Sequence, residues 1–434
     1  MERIQKVAVS LLLVGMLCLI ACKGKGDTSS ASGGKPVEMP VVTFLIDKDT
    51  SFAGVQKVID AIEAKLGIKT EVEIRAGGVE GDNIMKTRLA TGDMADIFWY
   101  NTGSKLGDLN PERNIYDITD EPFAANLSDA FKTAASVNGR LYAIPGASTQ
   151  VGGIIYNKKV YQELGLSVPH TWKDFLANCD KIQVAGKTAL IAGFKDTWTS
   201  QLLILGDEYN VKTLMPNFPA EYTANRAKYA NTSAARRGFE KIAETRRYMN
   251  KDYLAATYDV ALGMLVTGDG VHWPMLTQAL SNIYTLYPDK IDDIGVFGIP
   301  GDDPNNHGLT AWVSDGLYIY KNTPHQDLAK KWIEFYVSQE GISIYGSEVK
   351  PNGPYAIKGI DLPEDSYAAV KEMQPYFDTE KVDVALEFES PVKGPNLEQI
   401  CIEVASGNTS AAVAATAYDA DVQKQAIQLN LPGW

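Results

Sequence analysis

The sequence predicts an α/β protein of two units, each a mostly parallel sheet flanked by helices. Three observations carry this. Strand, helix, strand, helix and strand patterns alternate from Val41 to Tyr100. Parallel-sheet patterns resume near Gly152, beyond a break near residue 150. The 434 residues are enough for two or three domains.

The chain opens with Arg3 and Lys6, then runs uncharged from Val7 to Ile20 (VAVSLLLVGMLCLI). That run is shorter than the roughly 20 residues a membrane-spanning helix needs, so residues 1–21 read as a secretory signal. Leu19-Ile20-Ala21-Cys22 resembles the bacterial lipoprotein box, in which the cysteine is lipidated and becomes the first mature residue. The other reading is an ordinary signal peptide that happens to hold Cys22. The stretch 22–37 is mostly Gly, Ser and Lys without an aromatic residue. It is expected to be a flexible tether reaching on the order of 20 Å.

The body starts with VVTFLI, an apolar run ending at Asp47 and long enough for a buried strand. Val55, Val58, Ile59, Ile62 and Leu66 recur at helical spacing, and Gly67 stops that helix. Val72 and Ile74 alternate with charged residues over Thr70–Arg75, as in a half-buried strand, and 83–89 is helical. Ala95 to Tyr100 reads as a third strand. Ligands of such sheets collect at the carboxyl ends of the strands, here Asp47–Thr50 and Trp99–Asn101.

Gly153–Asn157 gives a strand, and Thr171 is the expected N-cap of a helix with the stripe Trp172, Phe175, Leu176, Cys179 and Ile182. Trp312–Tyr320 reads as one strand. Thr323-Pro324-His325-Gln326 reads as a capping box opening a helix that Gly341 ends. Residues 397–429 read as mostly helical, broken near Gly407.

The formal net charge is −13, from 54 acids against 41 bases, which argues against a nucleic-acid partner. Four cysteines are too few for a disulfide framework; Cys179 and Cys401 read equally as a pair or as two buried thiols. Catalytic signatures fail on inspection. Gly186-Lys187-Thr188 lacks the leading glycine of a phosphate loop, since position 181 is Lys181. Gly146-Ala147-Ser148-Thr149-Gln150 ends in Gln150 where a nucleophile elbow needs glycine. Asp303, Asn305, His307 and Gly308 imitate part of a calcium loop, but its twelfth position is Ser314. No two of His170, His272, His307 and His325 have zinc-ligand spacing. No metal and no cofactor is expected.

Several stretches together resemble the extracellular solute-binding proteins of bacterial ABC importers, in the large family that binds sugars and oligosaccharides. Arg88–Phe98 is similar to that family's helix, "SGD" turn and strand, with Ala95 where proline is commoner. The most specific match runs from Asn138-Gly139-Arg140-Leu141-Tyr142-Ala143-Ile144-Pro145 through Ile154–Lys158 and Leu164-Gly165-Leu166 to Val168-Pro169-His170-Thr171-Trp172. Gly268-Asp269-Gly270 with Trp273, the stretch Gly316–Gly341, and Ala405–Ser410 follow in family order.

The resemblance implies a two-lobed periplasmic-binding-protein fold of type II, with ligand clamped between the lobes. The chain would cross near Gln150, return near Gly308 and leave again near Lys358. One lobe would then hold 38–149 and 308–357, the other 150–307 and 358–434. It implies no enzyme, no nucleic acid, and a monomer held to the membrane by its lipid that hands a carbohydrate to ABC permease subunits.

A sugar site needs aromatic platforms and planar polar side chains. Trp172 and Trp332 lie on helix stripes and read as core. Trp99, Trp198, Trp273 and Trp312 sit at strand ends or in loops beside polar residues, among them Tyr100 and Asn101. With Asp49, Gln150 and Asp315 they form the candidate set, and Tyr355 joins them near the third crossing. The other readings are an extracytoplasmic glycosidase, whose two carboxylates no sequence pattern would reveal, and the same receptor with a non-sugar ligand.

Overall fold

A computed structural model describes residues 39–48 and 52–434; the signal segment, Cys22, the tether and Asp49 lie outside them. Thirteen strands are found among the described residues. β1 (Val41–Asp47), β2 (Lys69–Arg75) and β3 (Ile97–Asn101) are followed by a small ladder of β4 (Ser136–Val137) and β5 (Arg140–Leu141), then by β6 (Ala143–Pro145). β7 (Gln150–Asn157), β8 (Thr188–Leu190), β9 (Gly270–Leu276), β10 (Ile294–Phe297) and β11 (Leu309–Trp312) come next. β12 (Asp315–Ile319) and β13 (Val382–Val384) complete the set.

The first sheet has the order β2-β1-β3-β12-β6, and the second β13-β11-β7-β9-β8 with β10 also on β7. In the first, β1 is parallel to β2 and β3, while β12 is antiparallel to both β3 and β6. Four strands therefore run one way and only β12 reverses. In the second, β7 is antiparallel to β9, β10 and β11, and β8 and β13 are parallel to their neighbours. Only β7 reverses there. The reversed strand in each sheet is the one that arrives from the other: β6 leads into β7 through residues 146–149, and β11 into β12 through Val313 and Ser314. Both crossings thus join the carboxyl edges of the co-directional strands, and the two lobes meet edge to edge at the place where α/β sheets bind ligands.

Local sequence explains the flanking layers. The helix Phe52–Leu66 buries Val55, Val58, Ile59 and Ile62 at three- and four-residue spacing, and Gly67 ends it at φ 63°. Thr171 caps Trp172–Val184, its hydroxyl accepting from the Asp174 N–H at 3.1 Å. Trp172 stacks on Phe175 at 4.9 Å inside the second lobe. Trp332 is fully buried in the first, stacked on Tyr336 at 5.3 Å, with its N–H donated to Thr70 Oγ1 at 3.0 Å. The C-terminal helices Leu397–Ser406 and Ala411–Gln428 break at Gly407, φ 76°. Cys179 and Cys401 are buried free thiols. No described helix is long and apolar enough to cross a membrane.

Three sequence expectations change. The run 312–320 is divided between two strands, because its pairing switches sheets at Val313–Ser314; β11, which follows Gly308, still pairs in the second sheet, so the chain re-enters the first only at β12. No capping box forms at Thr323: the helix is Gln326–Tyr336, and the Thr323 hydroxyl donates to Asp96 while accepting from the His325 N–H. Gly341 lies inside a further helix, Gln339–Glu348, which Ser338 caps.

Candidate functional site

At the carboxyl edge of the first sheet a cavity of about 450 Å³ opens beside both crossings. The ends of β1, β2 and β3 supply Asp47, Arg75 and Trp99–Asn101 to its wall, and the start of β12 supplies Asp315. Ala147 of the first crossing and Tyr345 of the helix Gln339–Glu348 also line it.

Arg75 is buried and held from three sides. It donates to Asp47 Oδ2 at 3.0 Å, to the Ala76 carbonyl at 2.9 Å and to the Trp99 carbonyl at 3.1 Å. Its guanidinium lies 5.6 Å from the Tyr100 ring centre. The Arg75 Nε has no hydrogen-bond partner among the described residues. Tyr100 donates its hydroxyl to Asp82 at 2.9 Å, and Lys105 donates to the other Asp82 oxygen at 3.2 Å.

The Trp99 indole packs close against Gly146; a Cβ there would come within 2.7 Å of the ring. Its N–H reaches Asp315 Oδ1 at 3.3 Å, and Ser314 Oγ reaches Oδ2 at 3.3 Å. These are long contacts for a carboxylate. Burial pushes the Asp315 carboxyl up; the Trp99 and Ser314 bonds only partly offset this, and the charge of Asp47 adds to it. The cavity therefore sets an under-used acceptor, Asp315, and the charged side chains of Arg75 and half-exposed Lys105 beside the aromatic residues Trp99, Tyr100 and Tyr345. That set suits a ligand carrying hydroxyls that both donate and accept.

Of the residues picked from sequence, Trp99, Tyr100, Asn101 and Asp315 meet in this one cavity. Gln150 and Trp312 are cross-strand partners at the facing edge of the second sheet. The Trp312 ring covers Gly152, where a Cβ would meet it at 2.3 Å, and its N–H donates to Glu387 at 2.6 Å. Trp273 sits mid-strand opposite Ile155, 1% exposed in the second-lobe interior. Tyr258 tilts onto it at 5.1 Å, and half-buried Trp198 stacks on Tyr258 at 5.9 Å. Neither tryptophan lines the crossing cavity. Tyr355 is buried on the wall of a separate cavity of about 420 Å³ with Ser128, Lys358 and Gln374. Asp49 lies outside the described residues. Asp47 lies in the strand end Asp47–Thr50 where ligands were expected to collect; Arg75, Lys105 and Tyr345 were not singled out, and the carboxyl-end rule applied to Thr70–Arg75 would have found Arg75.

A buried cluster in the second lobe resembles a nucleophile with its base. Cys179 Sγ is 3.7 Å from His272 Nδ1, and the Tyr161 hydroxyl is 2.7 Å from Nε2. Burial pushes the thiol up and the imidazole down to about 3, so neither thiolate nor imidazolium forms near neutral pH.

Comparison with known proteins agrees with this architecture. The family described as bacterial extracellular solute-binding protein matches residues 47–342. A multiple sugar-binding protein of Streptococcus mutans is 23% identical over 363 residues, covering 80% of this chain and 82% of its own. The melibiose/raffinose/stachyose-binding protein MelE of Bacillus subtilis is 22% identical over 395 residues, covering 85% and 86%. Among solved structures, the apo form of RafE from Streptococcus pneumoniae superposes with a TM-score of 0.76 at 20% identity, covering 91% of this chain and 100% of that one. The galactopyranose receptor AcbH gives 0.77 at 16% identity, covering 89% and 100%. The fold is the two-lobed type II binding-protein fold, and the chain belongs to the bacterial extracellular solute-binding protein family.

Proposed function

We propose that this protein is a lipid-anchored extracytoplasmic receptor that captures a mono- or oligosaccharide by lobe closure and delivers it to an ABC-type permease. The observation that carries the reading is the crossing cavity, where Lys105 and Asp315 offer a donor and an acceptor beside Trp99, Tyr100 and Tyr345. Sugars need that pairing of polar rim and aromatic wall. The names of the Streptococcus mutans and Bacillus subtilis relatives support the same ligand class. Residues Trp99, Tyr100, Asn101, Asp315, Asp47 and Arg75 form the first-lobe wall in this reading, and Gln150 and Trp312 approach from the second.

A thermal-shift screen of the mature chain across neutral mono- and oligosaccharides, raffinose, melibiose and stachyose among them, tests it. A ligand that binds only the native state raises the melting temperature by mass action. At least one sugar should do so, shrink the radius of gyration as the lobes close, and be recovered chemically unchanged. Absence of any shift across the sugars would remove the carbohydrate reading; steady hydrolysis would favour a glycosidase.

The anchor rests on Leu19-Ile20-Ala21-Cys22. Each buried lipid methylene contributes about 0.8 kcal/mol, so two or more chains hold where one does not. Cys22→Ser should abolish incorporation of labelled fatty acid, and undiminished labelling would sink the anchor.

A further inference from the structure

The charges around the crossing cavity do not cancel. Three carboxylates, Asp47, Asp82 and Asp315, stand on or beside its wall with two bases, Arg75 and Lys105. Arg75 pairs with Asp47 Oδ2 at 3.0 Å, and Lys105 pairs with Asp82 Oδ2 at 3.2 Å. The other Asp82 oxygen accepts from the Tyr100 hydroxyl at 2.9 Å. Arg75 is not free to turn elsewhere, because its terminal nitrogens also bond the Ala76 and Trp99 carbonyls. Each base is therefore matched to an acid, and Asp315 is the remainder.

Asp315 makes no ion pair among the described residues. Its side-chain partners are the neutral Trp99 N–H and the neutral Ser314 hydroxyl, both at 3.3 Å. The residue is half-buried and lines the cavity, so it is open to a ligand. Burial, and after it the like charge of Asp47, pushes its carboxyl up.

This imbalance discriminates among sugars. An anionic sugar would meet the carboxylate with no unmatched base to receive it. A neutral sugar can donate a hydroxyl to Asp315 but leaves the charge uncancelled. An ammonium cancels it and forms charge-assisted hydrogen bonds, about twice as strong as neutral ones. Trp99, Tyr100 and Tyr345 on the same wall suit the carbon–hydrogen body of a sugar that carries such a group.

We propose that the crossing cavity selects an amino sugar, whose ammonium pairs with the Asp315 carboxylate. The proposal rests on the reading of this cavity as a sugar site and narrows it to sugars with a free amine.

Titration calorimetry of the intact mature protein tests it with matched pairs: D-glucosamine against D-glucose, D-galactosamine against D-galactose, and the disaccharide of glucosamine against cellobiose. A pH of about 6.5 keeps the amines charged, since an ordinary α-amino group titrates near roughly 7.7–8.0. In at least one pair the amino sugar should bind about tenfold tighter than its hydroxyl parent. Asp315→Asn keeps the shape and removes the charge, and should bring that ratio to within about twofold of one. If this variant fails to fold, Asp315→Ser takes its place. Parents that bind as tightly as their amino forms, or a preference that survives loss of the carboxylate, overturn the proposal and leave the carbohydrate reading standing. Failure of every amino sugar to bind overturns it as well, and the carbohydrate reading is then decided by the neutral-sugar screen alone.

Discussion

The two ends of the β3–β12 pair each carry a carboxylate, and the pair is an internal comparison. Asp96 stands at the amino end, just before β3. It accepts from the Thr43 N–H at 2.7 Å, from the Thr43 hydroxyl at 2.8 Å and from Thr323, with His325 Nδ1 at 3.2 Å. Asp315 stands at the carboxyl end, opposite Asn101, with two contacts of 3.3 Å. Burial raises both groups. At Asp96 the bonds from Thr323, Thr43 and His325 outweigh it and hold the carboxyl below its ordinary value; at Asp315 they do not. One carboxylate is spent on the fold, and the other is kept in reserve where the lobes meet.

The largest effect is expected at the satisfied end. Asp96→Ala removes charge-assisted bonds and leaves the Thr43 N–H without its acceptor, costing about 4 kcal/mol of stability. Urea denaturation should show that loss, while sugar affinity in the folded fraction stays within twofold. A large drop in affinity would mean that the two ends of the sheet are coupled, and the division of labour would fail.

Two tryptophans sharpen the contrast between edge and interior. Trp99 and Trp273 are both nearly inaccessible, at 3% and 1%. Truncating either to alanine should cost about 3 kcal/mol by cavity formation. Only Trp99 lines the crossing cavity, so only Trp99→Ala should also weaken sugar binding, by roughly tenfold or about 1.4 kcal/mol. Calorimetric titration of both variants decides this. Equal loss of affinity in Trp273→Ala would extend the site into the second lobe through the Tyr258 and Trp198 stack.

These residues also mark what the sequence could and could not tell. Trp99, Tyr100 and Asn101 were legible because a strand end is a local feature; Asp315 was legible only as an acid close to Trp312, since its place at the start of β12 lay hidden in a run that reads as one strand. Trp273 looked similar because its neighbour His272 is polar. That histidine is fully buried and bonded to Tyr161, so the polar flank was an interior hydrogen bond and no sign of a surface. Helix stripes such as Val55–Ile62 were legible from their 3.6-residue period. The crossing at Val313–Ser314 was not, because strand-like residues lie on both sides of Ser314-Asp315-Gly316 and only the pairing partner changes. Tyr345 reaches the site from a helix far along the chain, which no spacing rule connects to β3.

Asp315→Asn separates binding from stability at the reserve end. The amide keeps the shape and cannot offer a charged acceptor, so affinity for a neutral sugar should fall about tenfold, or about 1.4 kcal/mol. Failure of titration calorimetry to detect weaker binding would place the acceptor elsewhere on the cavity wall.

The smallest effect is the pH dependence of that same substitution, and its sign follows from the raised carboxyl. Native Asp315 holds its proton more tightly than the unfolded chain does. Between the ordinary aspartate value, near 3.8, and the raised native value, the folded state therefore binds more protons than the unfolded one. Stability contributed by this group is present below the unfolded value and is lost as pH rises through the window. Asparagine does not titrate. Relative to wild type, Asp315→Asn should accordingly gain stability between pH 4 and pH 7. The lowered Asp96 gives the opposite dependence: its contribution is present above its unfolded value and is lost as pH falls through the native one. Urea midpoints of wild type and Asp315→Asn at both pH values read the difference directly. A gap that stays constant across the window would mean that Asp315 is as well satisfied as Asp96, and the carboxyl edge would then hold no reserve acceptor for a ligand.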